Sequence, residues 1–291
     1  MPISRREILL GSVALLAISP TFAGAKPAIA DAERELVALE TRHNGRLGVA
    51  ILDTASGRRL GHRGDERFGM CSTFKFLAAA AVLDRVDRGL DSLDRRISFS
   101  KSDLLEYAPV AAQHVGEGGM TLGALCAAAV ELSDNTAGNL ILNTLGGPAG
   151  LTRYARSLGD EVTRLDRTEP TLNIIEPGDP RDTTTPNAML ALMNSTLLGN
   201  ALSPSSRTQL QHWMLSTKTG AGRIRAGLPS DWRIGHKTGS GAKAETNDVG
   251  VIWPTGRAPV LVAAYYEGGG EPPDARDAVL ADIGRLIVKS L

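Results

Sequence analysis

The sequence predicts an α/β domain with an all-α domain inserted into it. Three observations carry that expectation. Strand signals cluster at the two ends of the chain, a long helical section lies between them, and a helix closes the chain. The expected fold is a five-stranded antiparallel sheet flanked by helices. Residues 31–66 and 217–291 form the discontinuous α/β domain, and residues 67–216 form the insert.

In chain order, Asp31–Arg42 reads as a helix, with Leu36, Val37 and Leu39 at helical spacing and His43-Asn44-Gly45 ending it. Arg46–Asp53 reads as a strand, Ala55-Ser56-Gly57 as a turn, and Arg58–His62 as the hairpin partner. The helical section follows. Phe76–Leu83 is apolar all round, as in a helix buried in an interior. Further helices are expected over Thr121–Glu131, Asn135 to about Gly146, Pro148–Leu158, Pro186–Leu198 and Pro204–Leu215. Strands resume at Asp231–Lys237, Thr246–Trp253 and Pro259–Tyr266. The last is a continuous apolar run that suits a central strand. A helix over Pro273–Ser290 ends the chain. A cleft is expected where the two domains meet, and such junctions favour ligands.

The first 25 residues read as an export signal, with cleavage as late as residue 30. Arg5-Arg6 precedes the short apolar run Ile8–Ile18. Ala23-Gly24-Ala25 and Ala28-Ile29-Ala30 are both small-x-small cleavage candidates. Twin-arginine and general secretory routes both fit. The expected location is periplasmic or secreted, with no membrane contact after signal removal. Formal charge is zero across 291 residues, so no basic excess points to nucleic acid. Cys71 and Cys126 sit in apolar helical contexts and read as free buried thiols, a bridge between them being the alternative. The five histidines lack metal-ligand spacing; no metal or cofactor is expected.

Chemistry concentrates in four short segments. Ser72 and Lys75 stand three residues apart at the start of the buried helix, so hydroxyl and amine share a face. A serine there is either a nucleophile activated by the lysine or an ordinary helix cap. Ser-x-x-Lys recurs at Ser98–Lys101 and Ser240–Lys243, but only Ser72 has an apolar helix behind it. Ser133-Asp134-Asn135 lies between two helices, where it either caps the next one or supplies a proton relay (Ser133) and an amide-binding group (Asn135). Lys237-Thr238-Gly239-Ser240 ends a strand with a cation and two hydroxyls that suit a substrate carboxylate. At an edge, the Ser240 and Ser72 N–H groups could form an oxyanion hole. A second Lys-Thr-Gly, at Lys218–Gly220, reads as a loop. Glu169 and Asn173 lie in a proline-rich Ω-type loop over about residues 164–182. They are spaced to hold a water that the carboxylate deprotonates, and an Arg167–Asp182 ion pair would clamp the loop's ends.

In this order the segments match the Ser-x-x-Lys, Ser-Asp-Asn and Lys-Thr-Gly set of serine β-lactamases and penicillin-binding proteins. Over essentially its whole mature length the chain resembles a class A serine β-lactamase. Glu169–Asn173 and Leu105-Glu106-Tyr107-Ala108-Pro109-Val110 add to the match. The resemblance implies hydrolysis of a small-molecule β-lactam by a monomer, through a Ser72 acyl-enzyme released by water that Glu169 activates. Lys75 and Glu169 are both open as acylation base. It further implies that Ser133 protonates the lactam nitrogen, Asn135 binds the side-chain amide and Asn173 positions the water. Lys237, Thr238 and Ser240 bind the carboxylate, with Arg223, paired to Asp277, behind them. Tyr107 lines the entrance, and Glu169–Pro170 is a candidate cis peptide. Ser240 resembles members with broadened cephalosporin or carbapenem activity. Gly241 and Ala79 stand where the two family disulfides would place their second cysteine, so neither bridge can form. Two other readings share the acylation residues, namely a DD-peptidase and a β-lactam sensor that stays acylated. Glu169 with Asn173 separates hydrolysis from the peptidase, and a sensor is expected to need a membrane anchor, for which no candidate is seen beyond the removable signal.

Overall fold

The computed structural model describes residues 25–116, 118–268, 270 and 272–291. The expected export signal, residues 1–25, therefore lies outside the described residues except for Ala25. Its α-helices are α1 Ala25–His43, α2 Phe74–Asp87, α3 Leu122–Glu131, α4 Asn135–Thr144, α5 Pro148–Ser157, α6 Pro186–Met193, α7 Pro204–Leu215 and α8 Pro273–Ser290. The long strands are β1 Arg46–Asp53, β2 Arg59–His62, β7 Arg233–Ser240, β8 Glu245–Trp253 and β9 Val260–Glu267. The short ones are β3 Phe68–Gly69, β4 Arg96–Ile97, β5 Met120–Thr121 and β6 Thr183–Thr184.

The five long strands form one antiparallel sheet in the order β2-β1-β9-β8-β7. The apolar run at the chain's end is indeed the central strand, β9, and β7 lies at the edge. One face of the sheet packs on α1 and α8 through Leu36, Leu47, Val262, Ile283 and Ile287. Its other face joins a larger core with α2, α3, α4, α6 and α7. Within that core Phe74–Leu83 of α2 is buried at every position, as its composition predicts.

Several boundaries differ from the sequence expectation. Helix α1 begins at Ala25 rather than Asp31. Residues 194–198, expected as plain helix after α6, are wound as a π-helix. Two small ribbons, β3–β6 and β4–β5, lie within the helical section; each strand has only two residues and leaves no periodic signal. Strand β7 continues past Lys237 to Ser240, with Lys237 opposite Val249 and Ser240 opposite Thr246. Apolar alternation stops at Lys237, so the pattern ended early; the ladder continues because these polar side chains have protein partners.

At the other edge of the sheet, Glu40 of α1 accepts from the Leu47 N–H (2.9 Å) and from Arg63 (2.7 and 3.0 Å), with His62 Nε2 at 3.0 Å. Burial alone would raise its pKa, but the Arg63 hydrogen bonds, the Leu47 N–H and His62 outweigh it and hold the carboxyl at about 2. A carboxyl depressed on folding contributes stability in full above its ordinary value of 4.5, and that contribution is lost as pH falls toward 2. Replacing Glu40 by Gln should therefore cost on the order of 1–2 kcal/mol at pH 7, after screening at this partly exposed site. The gap to the parent protein should narrow below pH 4.5 in urea unfolding; a gap constant from pH 7 to 2.5 contradicts the assignment.

Candidate active site

The nucleophile candidate lies in a tight turn rather than in the first turn of an α-helix. Cys71–Thr73 is a 3-10 turn that leads directly into α2, and Cys71 has φ +46°, an uncommon value for a side-chain-bearing residue. The turn is held from several sides. The Met70 N–H donates to Asp182 O (2.9 Å), and Asn247 Nδ2 donates to Gly69 O (2.9 Å) and Met70 O (3.2 Å). Gly239 permits the close approach of β7. A Cβ there would lie 2.9 Å from Met70 O and 3.2 Å from Cys71 Cβ. Both cysteines are buried free thiols, and burial raises their pKa, so neither is a nucleophile at neutral pH.

Lys75, one turn on, is 0% exposed. Its Nζ lies 2.9 Å from Ser72 Oγ, 2.9 Å from Ser133 O, 2.6 Å from Asn135 Oδ1 and 2.9 Å from Glu169 Oε1. Four acceptors thus surround a group with at most three hydrogens. Ser72 Oγ in turn donates to Glu169 Oε1 at 3.1 Å. Burial lowers the Lys75 pKa, and the Glu169 carboxylate offsets only part of that effect. Gly138 on α4 makes room for the chain, since a Cβ there would come within 2.8 Å of Lys75 Cε.

Glu169 is 3% exposed. Asn173 Nδ2 donates to its Oε2 at 2.6 Å, while Asn173 Oδ1 is buried and accepts no hydrogen bond among the described residues. The Glu169–Pro170 bond is cis. The Glu169 backbone is fixed by Asn139 of α4, whose Oδ1 accepts from Glu169 N and whose Nδ2 donates to Glu169 O, both at 2.9 Å. Sequence reading missed Asn139; its only signal was an amide one turn along from the Ser-Asp-Asn triplet. The loop's ends are clamped as expected. Asp182, wholly buried, accepts from Arg167 Nε (2.5 Å), Asp166 N (2.7 Å) and Arg167 N (2.9 Å).

In the Ser-Asp-Asn triplet all three residues have distinct partners. Asp134 caps α4 by accepting from Ala137 N (2.8 Å) and ties in Val110 N (3.0 Å) and Ala111 N (2.9 Å). Ser133, at φ +60°, receives Lys237 Nζ on its Oγ at 3.0 Å. The Asn135 N–H donates to Tyr107 O (2.9 Å), and the Tyr107 side chain is half exposed.

Lys237 is fully buried. Burial, followed by repulsion from Lys75 and Arg223, drives its pKa well below that of an ordinary lysine. The hydroxyls of Thr238 and Ser240 lie on the opposite side of β7, where Arg223 Nη2 donates to Ser240 Oγ at 2.8 Å and Arg223 Nε pairs with Asp277 at 2.8 Å. The loop copy of Lys-Thr-Gly is no bystander, because Thr219 Oγ1 lies 2.7 Å from Thr238 Oγ1. Sequence reading passed over Thr219 because only the strand-borne copy matched the expected context.

A buried serine, lysine and carboxylate in mutual contact, beside a second serine and lysine, are the equipment of an acyl-serine hydrolase. The sequence pattern of the beta-lactamase enzyme family matches residues 31–291. The chain is 46% identical to beta-lactamase CTX-M-25 of Escherichia coli over 286 residues, 97% of each chain. It is 48% identical to beta-lactamase L2 of Stenotrophomonas maltophilia over 256 residues, 88% of this chain and 84% of that one. Among solved structures it is similar to an ancestral class A β-lactamase, with TM-score 0.88 and 60% identity over 89% of this chain and 100% of that one. It is also similar to a protein described as the putative class A β-lactamase PenP from Rhodopseudomonas palustris, with TM-score 0.88 and 52% identity over 90% of this chain and all of that one. The chain belongs to the β-lactamase enzyme family, in class A.

Because Asp182 serves three donors without contact with water, its loss leaves a partly buried guanidinium and two N–H groups short of an acceptor. Asp182→Ala should lower stability by about 3 kcal/mol in denaturant unfolding and increase proteolytic cleavage within residues 164–182. Unchanged stability and cleavage would show that the clamp is not what holds the loop.

Proposed function

We propose that this class A enzyme hydrolyses the β-lactam amide in two steps through Ser72. The observation that carries the reading is that Ser72 Oγ lies between Lys75 Nζ (2.9 Å) and Glu169 Oε1 (3.1 Å). Either neighbour can take the hydroxyl proton as Oγ attacks the lactam carbonyl carbon. The negative charge then forms on the carbonyl oxygen, where the Ser72 and Ser240 N–H groups are assigned as donors. Collapse breaks the C–N bond, and the nitrogen takes the Ser133 hydroxyl proton. The proton that left Ser72 passes to Ser133 through Lys75, whose Nζ lies beside both residues, and Glu169 is again free to act as a base. This leaves a Ser72 ester.

Release needs water. Glu169 Oε2 and the unpaired Asn173 Oδ1 offer two acceptors side by side, which suits one water with two hydrogens. Glu169 removes a proton as the water oxygen attacks the ester carbon, and passes it to Ser72 Oγ as the ester C–O bond breaks and the acid leaves. Before reaction Lys237, Thr238 and Ser240, backed by Arg223 and Thr219, hold the substrate carboxylate. Asn135 holds the side-chain amide, and Tyr107 flanks the way in. The assignment favours hydrolysis over a peptidase or a sensor because both halves of a water site are built from this chain.

We further assign residues 31–66 and 217–291 to the sheet domain and 67–216 to the helical insert. The place of action is assigned to the periplasm or exterior, with the chain acting as a monomer. No helix among the described residues is long and apolar enough to cross a membrane. Ser72→Ala should retain the fold by circular dichroism yet lose turnover of a chromogenic cephalosporin by at least about 10³-fold. Turnover within tenfold of the parent would remove Ser72 from the nucleophile role.

A further inference from the structure

A second cavity, of about 500 Å³, lies outside the catalytic residues, between the loop after α7 and the first half of β7. Neither Ser72, Lys75, Ser133, Glu169, Lys237 nor Ser240 lines it. Its wall carries three cations, Lys218, Arg225 and Arg233, and no carboxylate. Among the described residues none of the three has a carboxylate within salt-bridge distance. Arg225 donates to the Trp232 carbonyl, and Arg233 sits 5.5 Å from the centre of the Trp253 ring. Most of the chain's other arginines are paired with acids, so three unpaired cations around one cavity are out of keeping with the rest of the surface. Three cations on one wall give such a cavity a positive potential, with Glu131 near Lys218 and Asp248 behind His236 as the carboxylates that act on it.

His236 also lines the cavity and is 5% exposed. Its Nδ1 lies 2.8 Å from Oδ1 of Asp248, which is itself fully buried. The carboxylate fixes the ring orientation and places the proton on Nδ1. Gly220 lets the loop close on the ring, since a Cβ there would lie 3.3 Å from His236 Cε1. Thr217, Thr219 and Ser230 add hydroxyls, while Leu215, Trp232 and Ile234 supply an apolar wall.

We propose that this cavity is a binding site for a small organic oxyanion with an apolar body, such as an aryl sulfonate or aryl carboxylate. In this reading Lys218, Arg225 and Arg233 neutralise the anion, and the His236 ring lines the same wall. The apolar portion lies against Trp232. The site is separate from the catalytic one but touches it through Thr219, which bonds Thr238.

The test is calorimetric titration of naphthalene-2-sulfonate into Ser72→Ala protein held in saturating benzylpenicillin, so that the catalytic site is occupied. The neutral analogue naphthalene-2-sulfonamide and inorganic phosphate serve as the two comparison probes. One sulfonate should bind per chain, with the sulfonamide and phosphate each at least about tenfold weaker, the first for want of charge and the second for want of an apolar body. The double variant Lys218→Gln/Arg233→Gln, on exposed positions that should not disturb folding, should weaken sulfonate binding by at least tenfold. The proposal is overturned by an absence of saturable binding, by sulfonamide binding as tightly as sulfonate, or by affinity unchanged in the double variant. It is also overturned if binding appears only when benzylpenicillin is left out, which would place the anion in the catalytic site. A β-lactam that failed to bind at all would instead count against the proposed function, and the same titration without it would still read the cavity.

Discussion

A fully buried lysine is the constraint on which the rest of this structure depends. An ammonium removed from water is costly unless its hydrogens and charge are met inside the protein. Here Lys75 is met by four groups from three parts of the chain: Ser72 beside it, Ser133 and Asn135 at the start of α4, and Glu169 on the loop. Each of those groups must be held where it is, and the surrounding fold does so. Asp134 caps α4 and anchors the segment at Val110 and Ala111, Asn139 grips the Glu169 backbone, and Asp182 closes the loop. The satisfaction of one cation therefore also assembles the residues proposed as nucleophile, base and proton relay.

The edge strand supplies the other half of the site. Its glycine at 239 lets β7 press on the turn that holds Ser72, and its alternation divides the work. Lys237 faces Ser133, while Thr238 and Ser240 face Thr219 and Arg223. Both of these lysines are buried and have lowered pKa values, chiefly through burial, and Lys75 further raises the cost of charging Lys237.

Much of this was legible in the residues. Ser72 and Lys75 could be paired by helical spacing, α7 and α8 by their proline starts, and β9 by its unbroken apolar run. Helix and strand periodicity reports which side faces a core, so it performs well where burial alone decides. It failed where polar groups decide. β7 was cut short at Lys237 because its continuation is polar and is stabilised by Ser133, Thr219 and Arg223, all distant in sequence. The positive φ of Cys71 and the Asn139 clasp had no local signature, since both arise from packing against other segments. Thr219 was hidden by a duplicate motif whose importance lies in its contact rather than its context.

The central claim is that Glu169 is needed to release Ser72 more than to acylate it. Rapid-quench mass spectrometry on Glu169→Gln protein mixed with benzylpenicillin tests this most directly, because glutamine keeps the shape and removes the base. The account predicts that a covalent adduct on the Ser72 peptide accumulates to one equivalent and persists for many parent turnover times. Multiple turnovers at the parent rate with no accumulating adduct would contradict it.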